Sequence, residues 1–174
     1  MFKELNIIRI FFDYPTREFN VREVARILKI APATASKELK GLAKLGLLKE
    51  RKERNLKLYS ANLESSYYRD LKLFYNVRKI KDSSLLDSLN KFYLKPATVL
   101  FGSASHGIDT ETSDIDLLVV SEKTTAFPEK EKFEKKLKRR LQLFVVRNIR
   151  ELNNEHLINN VLNGIVLQGE IKWI

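Results

Sequence analysis

The 174-residue chain has no cysteine, which excludes disulfides and thiolate metal ligands alike. It has no apolar run approaching the length needed to cross a bilayer, and its N-terminus lacks the charged-then-apolar layout of a signal segment. A soluble, cytoplasmic protein is the expectation. Glycine- and serine-rich linkers are missing too, so any domains should be joined rigidly. Acidic residues are in deficit: 22 against 32 lysines and arginines, a formal charge of +10. Charges of both signs are interleaved with the 44% of hydrophobic residues, which argues for a packed core rather than disorder. The length suits one ordinary domain or two small ones.

The positive charge is concentrated. From Arg17 to Leu58 there are twelve Lys/Arg and five Asp/Glu, a net of +7, leaving +3 for the rest. Such a field favours a polyanionic partner through counterion release. A solvated, lysine-rich surface accounts for the charge equally well, so the local motif has to decide.

The first third reads as three helices and a hairpin. An apolar helix runs from about Phe2 to Phe12 and stops before Pro15. Val21, Val24, Ala25 and Leu28 then recur at helical spacing. After a break at Lys29–Ala31, Pro32 opens a further helix that buries Ala35, Leu39 and Leu42 and ends at Gly46. Thr34, Ser36, Lys37 and Lys40 lie on its other side, short polar and basic groups suited to a DNA major groove. Two short strands, 47–51 and 56–59, flank a basic tip at 52–55; Lys52 and Arg54 in it and Arg51 beside it are placed to reach phosphates or a minor groove. The stretch FNVREVARILKIAPATASKELKGLAKLGLLKERKERNLKLYSAN resembles the winged helix-turn-helix domains of archaeal and bacterial transcription regulators. The resemblance implies double-stranded DNA as partner. It departs at Ala31, which has no side-chain oxygen to cap the recognition helix, at a cost of about 1 kcal/mol. Winged helices used only for protein contacts are the alternative. No arginine or asparagine on the recognition face points to a particular base.

Residues 63–95 read as a helical connector. Tyr67, Leu71, Phe74 and Val77 keep helical spacing, a break follows at Asp82-Ser83, and Ser84 with Asp87 forms a candidate capping box. Leu85, Leu86, Leu89, Phe92 and Tyr93 mark a second helix, closed by Pro96. This apolar surface serves either a homodimer or packing on the C-terminal part.

The chemistry is concentrated in the last part. A short apolar strand, 97–101, runs into Gly102-Ser103, and ten residues later comes Asp114-Ile115-Asp116 ahead of Leu117–Val120. Residues two apart on a strand share a face, about 7 Å apart. Asp114 and Asp116 would therefore repel one another, and a hard divalent ion such as Mg²⁺ relieves that repulsion. Bare backbone at Gly102, with the Ser103 hydroxyl and adjacent N–H groups, suits phosphate oxygens.

The segment LFGSASHGIDTETSDIDLLVV resembles the glycine-serine, ten-residue spacer, Asp-x-Asp signature of minimal nucleotidyltransferases, and LINNVLNGIVLQGE resembles that family's closing helix and strand. The likeness extends over about residues 95–170. It implies a small mixed sheet flanked by helices, with Asp114 and Asp116 as catalytic metal ligands and Gly102 and Ser103 on the phosphates. It implies Mg²⁺ or Mn²⁺, ATP or another triphosphate as substrate, and transfer of AMP. Related members act as antitoxins that AMPylate a toxin, so a partner toxin protein is among the implied acceptors. The family's third carboxylate falls on the strand 141–146, and there the chain has Gln142, which has no basic group. Three accounts stand open: binding without turnover, slow catalysis with two carboxylates, or Glu151, Asp109 or Glu111 reaching in. Ala104 and His106 also stand where the family often has arginine or tyrosine.

The expected fold class is therefore α+β: a winged helix over 1–62, a helical connector over 63–95 and a nucleotidyltransferase-like mixed sheet over 96–174. His106 reads as an exposed loop residue, His156 as solvated and Trp173 as packing. The charged run from Lys130 to Arg140 reads as a solvated helix face.

Overall fold

The computed structural model describes residues 5–171. Phe2 and Trp173 lie outside that range. Seven α-helices and two sheets are present among the described residues, and none of the helices is long and apolar enough to cross a membrane. The chain divides into two compact units, Met1–Lys72 and Leu73–Ile174.

In the first unit, α1 (Leu5–Asp13), α2 (Val21–Leu28) and α3 (Pro32–Lys44) pack with a three-stranded antiparallel sheet. That sheet has β1 (Phe19–Asn20) beside β3 (Leu56–Ala61), which pairs in turn with β2 (Leu48–Glu53). Phe11, Phe19, Val24, Ala35, Leu39 and Tyr59 are fully buried, with the rings of Phe11 and Phe19 edge to face at 5.5 Å. The start of α2 is fixed by a reciprocal cap: Glu23 N–H donates to Asn20 Oδ1, and Asn20 N–H donates to Glu23 Oε2. Lys29, at φ +53°, ends it in the left-handed region. The first turn of α3 has no side-chain cap, as Ala31 foretells.

Several expected details are corrected here. Leu42 is only half-buried, because Ala35 and Leu39 already fill the stripe that faces the core. The hairpin strands extend further than their apolar residues do. Lys52 pairs with Lys57 and Glu53 with Leu56, so the turn shrinks to Arg54 and Asn55. Backbone pairing is indifferent to side-chain polarity, which is why an exposed charged strand was hard to see.

The helix α4 (Ser66–Asp82) starts three residues later than its pattern suggests, where Ser65 Oγ accepts from Tyr68 N–H. Its buried row is also different. Tyr68, Lys72, Asn76 and Ile80 are inside, whereas Tyr67 and Phe74 are about half exposed. Apolar periodicity misjudges this helix because several inward residues are polar. Tyr68 donates its hydroxyl to the Phe11 carbonyl at 2.7 Å within the first unit, and Asn76 finds partners within the second. The expected Ser84–Asp87 capping box does not form: Ser84 takes a left-handed φ of +64° and makes no cap. Ser83 serves instead, accepting from Leu85 N–H and donating to the Ile80 carbonyl.

The second unit is a four-stranded mixed sheet. β4 (Ala97–Phe101) lies between β5 (Ile115–Val120) and β7 (Ile165–Gln168), antiparallel to both, and β6 (Leu141–Val146) runs parallel to β5 at one edge. One face carries Leu100, Ile115, Leu117 and Leu141 against α5 (Leu85–Tyr93) and α6 (Lys130–Leu137). The other carries Val99, Phe101, Leu118 and Val146, with Val161 of α7 (Glu155–Leu162). The α6 helix is shorter than the charged run that encodes it. Lys138, at φ +56°, closes it, so Arg139 turns inward and has only 12% of its side chain exposed.

Ala31 already has an extended backbone, at φ −64° and ψ 140°. Ala31→Ser should therefore supply the missing cap and stabilise the first unit by about 1 kcal/mol, measured by urea unfolding.

Candidate functional site

The register of the second sheet lines up three residues. Phe101 stands opposite Asp116 across the antiparallel β4–β5 pair, and Asp116 stands beside Gln142 across the parallel β5–β6 pair. Paired residues share a face, so Asp116 and Gln142 continue the row formed by Leu118 and Phe144. Ile115 and Leu117 point to the opposite face and are buried. Asp114 precedes the strand by one residue and is half-buried, as is Asp116.

Immediately after Phe101 the chain leaves the sheet at Gly102, whose φ of +69° lies in the region L side chains rarely adopt. A β-carbon there would lie 2.4 Å from Asp116 Oδ2. The absence of a side chain at 102 is what admits the carboxylate. Ser103–His106 then form a single 3₁₀ turn, with Ser103 half-buried at its start and His106 exposed. Ser105, buried, donates its hydroxyl to the Gly102 carbonyl at 2.8 Å and ties the turn to its own entry. The structure thus brings Gly102 against the Asp116 carboxylate, and the strand register pairs Asp116 with the exposed Gln142.

Electrostatics follow from that crowding. Burial, followed by the neighbouring Asp114, pushes the Asp116 carboxyl above the usual aspartate range, and Arg139 opposes the shift in part. A cation between the two carboxylates would offset both causes. The donors present are hard oxygens, the carboxylates of Asp114 and Asp116. They fit Mg²⁺ or Mn²⁺, which keep waters and phosphate oxygens in their remaining positions. Among the described residues no group of three or more acidic, histidine or cysteine side chains gathers to hold a metal.

The other acidic residues considered from sequence take different places. Asp109 is 1% exposed and accepts from Arg139 Nη1 at 2.8 Å and from Asn76 Nδ2 at 2.8 Å. Its charge is committed there. Glu151 is exposed in a short 3₁₀ turn after β6 and accepts from Arg147 N–H. Glu111 is half-buried in the loop ahead of Asp114. His156 is exposed on α7.

Arg139 and Asn76 were not legible as site residues. Arg139 sits in a run of ordinary surface charges, contrary to the reading of that run as a solvated face. Asn76 lies mid-helix with no motif around it. Arg139 Nε donates to the Ser113 carbonyl and its Nη2 to the Asp114 carbonyl at 3.0 Å, so one guanidinium grips the chain on entry to β5.

In the first unit, Thr34, Lys37 and Lys40 are exposed along α3, with Ser36 half-buried, and Lys52 and Arg54 are exposed at the hairpin tip. Arg51 is exposed but engaged. Its Nε and Nη2 reach both oxygens of Glu18, at 3.1 and 2.6 Å, and Nη2 also lies 2.8 Å from Glu53. That pairing holds the Glu18 carboxyl below its ordinary range. The hairpin's positive charge is therefore carried outward by Lys52 and Arg54 more than by Arg51.

A glycine bend thus lies against Asp116, with Asp114 one residue ahead of the strand, on a four-stranded mixed sheet. Residues 88–170 match the family model described as polymerase beta, nucleotidyltransferase, which covers all four strands of that unit's sheet. No curated protein matches the chain.

The raised Asp116 carboxyl has a consequence for stability. Folded protein holds this proton more tightly than unfolded chain does, so stability falls as pH rises from the ordinary aspartate range through the raised value. Above that window the penalty is constant. In chelator-containing buffer, Asp116→Asn should be more stable than the parent near neutral pH. Urea titrations at several pH values should show that advantage vanishing in acid.

Proposed function

We propose that the second unit transfers a nucleotide, AMP from ATP in the simplest case, from a metal-bound triphosphate to an acceptor, while the first unit is a winged helix that binds double-stranded DNA. The observation that carries the enzymatic half is the approach of Asp116 to the bare backbone of Gly102, with Asp114 beside it. Backbone donors suited to phosphate and anionic oxygens suited to a cation lie side by side there. The family match over residues 88–170 supports nucleotidyl transfer as the reaction class.

In this reading the acceptor oxygen attacks the α-phosphorus in line, the bond to the β-phosphate oxygen breaks, and pyrophosphate departs. Gly102 and Ser103 hold the triphosphate through backbone N–H groups and the serine hydroxyl. Asp114 and Asp116 would hold Mg²⁺ or Mn²⁺, which when bound supplies neutralisation of the charge developing on the leaving group. Gln142 has no basic group, so the acceptor's proton leaves to one of the two carboxylates or to solvent. Resemblance to minimal nucleotidyltransferases extends the acceptor class to a partner toxin protein. The DNA half rests on the exposed polar and basic row of α3, with Lys52 and Arg54 at the hairpin tip. A homodimer matches paired DNA half-sites, and a cytoplasmic setting completes the reading.

A second reading is favoured by Gln142: a regulator without turnover, whose second unit binds nucleotide or mediates assembly. Incubation with α-labelled ATP, Mg²⁺ and candidate acceptors separates the two. Label transfer is expected, and Asp114→Asn or Asp116→Asn should reduce it about 10²-fold or more. Transfer undiminished in both variants would discredit the site. Mg-ATP binding without transfer supports the regulator.

For DNA, Lys37→Ala combined with Lys40→Ala should weaken binding across sequences. The slope of log affinity against log salt should become shallower by about 2, near one for each phosphate that is no longer neutralised. Unchanged affinity in a gel-shift titration would move the interface off α3.

A further inference from the structure

Three side chains join the phosphate turn to the acidic pair from beneath. Asn76 of α4 uses one amide nitrogen for two acceptors, the Ala104 carbonyl at 3.0 Å and Asp109 Oδ1 at 2.8 Å. Both hydrogens of that nitrogen are thereby engaged. Asp109 turns its other oxygen to Arg139 Nη1 at 2.8 Å. Arg139 continues to the carbonyls of Ser113 and Asp114, the two that precede β5. One end of this chain of bonds is thus the residue after Ser103, and the other is Asp114 itself.

The chain is built to hold a distance. Asp109 is 1% exposed, Asn76 8%, and the Arg139 side chain 12%. Charges so enclosed are weakly screened, and their hydrogen bonds are strong and directional. The guanidinium fork is planar, so three donors directed at one carboxylate and two carbonyls fix where those groups lie relative to one another. A lysine at 139 keeps the charge but not the fork. The loop adds its own tie, Thr110 N–H donating to Ser113 Oγ at 2.9 Å, between Asp109 and Asp114.

We propose that Asn76, Asp109 and Arg139 form a buried strut that sets the separation between the phosphate turn and the acidic pair, making Asn76 and Arg139 positioning residues for the metal-bound triphosphate. Neither reaches the reacting atoms in this scheme. Asn76 acts through the Ala104 carbonyl on the turn that begins at Ser103, and Arg139 acts through the backbone of Asp114. The proposal rests on the nucleotide-transfer reading of Gly102, Ser103, Asp114 and Asp116.

The test uses the full chain and three readouts: thermal melting, Mn²⁺ affinity by electron paramagnetic resonance, and Mg-ATP affinity by calorimetry. Asn76→Ala should stay folded and bind Mn²⁺ alone nearly as the parent does, because the acidic pair is intact. Its Mg-ATP affinity should fall about tenfold or more, since the turn is no longer held at the right separation. Arg139→Lys should recover much of the melting temperature lost in Arg139→Ala, yet leave both Mn²⁺ and Mg-ATP binding about 10- to 100-fold weaker than in the parent. A purely structural role predicts the opposite: affinity per folded molecule unchanged in every variant, or restored in step with melting temperature. Either result overturns the strut. If the parent binds both probes and Asp116→Asn weakens them while Asn76→Ala does not, the strut alone fails. If the parent binds neither probe, the nucleotide reading fails and the strut falls with it.

Discussion

The carboxylate of Asp116 occupies space that a β-carbon on residue 102 would need, and the rest of the second unit is arranged around that approach. Two neighbouring strands bring the residues together, since Phe101 is paired with Asp116. The positive φ at Gly102 then lifts the chain out of the sheet within one residue, so the 3₁₀ turn begins beside the acid instead of above the next strand. Half-buried and next to Asp114, Asp116 is costly to ionise on its own. Arg139 offsets that cost only in part.

The two units use charge in different ways. In the first, ion pairs such as Arg51 with Glu18 and Lys49 with Glu64 lie at the surface, where water and salt weaken them. They shape the hairpin's field more than they hold the fold. In the second, Asp109 and Arg139 are enclosed, and removing one partner would strand the other in a medium that cannot solvate it. The same residue types thus define an outward-facing potential in one place and an internal dimension in the other.

Much of this was legible in the residues. The alternation around Asp116 gave the β5 strand and its buried Ile115 and Leu117, and the run 141–146 gave β6 with its limits as observed. Gln142 beside Asp116 follows from the parallel register, which sequence pattern alone does not state but the spacing of the two strands permits. What escaped was polar and internal. Asn76 and Lys72 occupy the inward row of α4, where an apolar stripe is the only signal that periodicity can detect. Arg139 is separated from Asp109 by thirty positions, and nothing local marks it off from the lysines around it. The Ser83 cap replaced the expected Ser84 one because two adjacent serines are equivalent in sequence, and only the backbone dihedrals choose between them.

The sheet's pairing order also sets when the second unit is complete. β4 and β5 are antiparallel neighbours joined by a loop of 13 residues, a local closure that forms quickly. Pairing of β4 with β7 joins Thr98 to Gln168, seventy positions away, and the Gln168 amide donates to the Thr98 hydroxyl and to the Pro96 carbonyl. On a growing chain the glycine bend and its acids therefore meet early, while the strand that clamps the other side of β4 is made seventy residues after Thr98. Until that strand arrives, β4 keeps one bare edge, and this is the interval in which the unit is most open to mispairing.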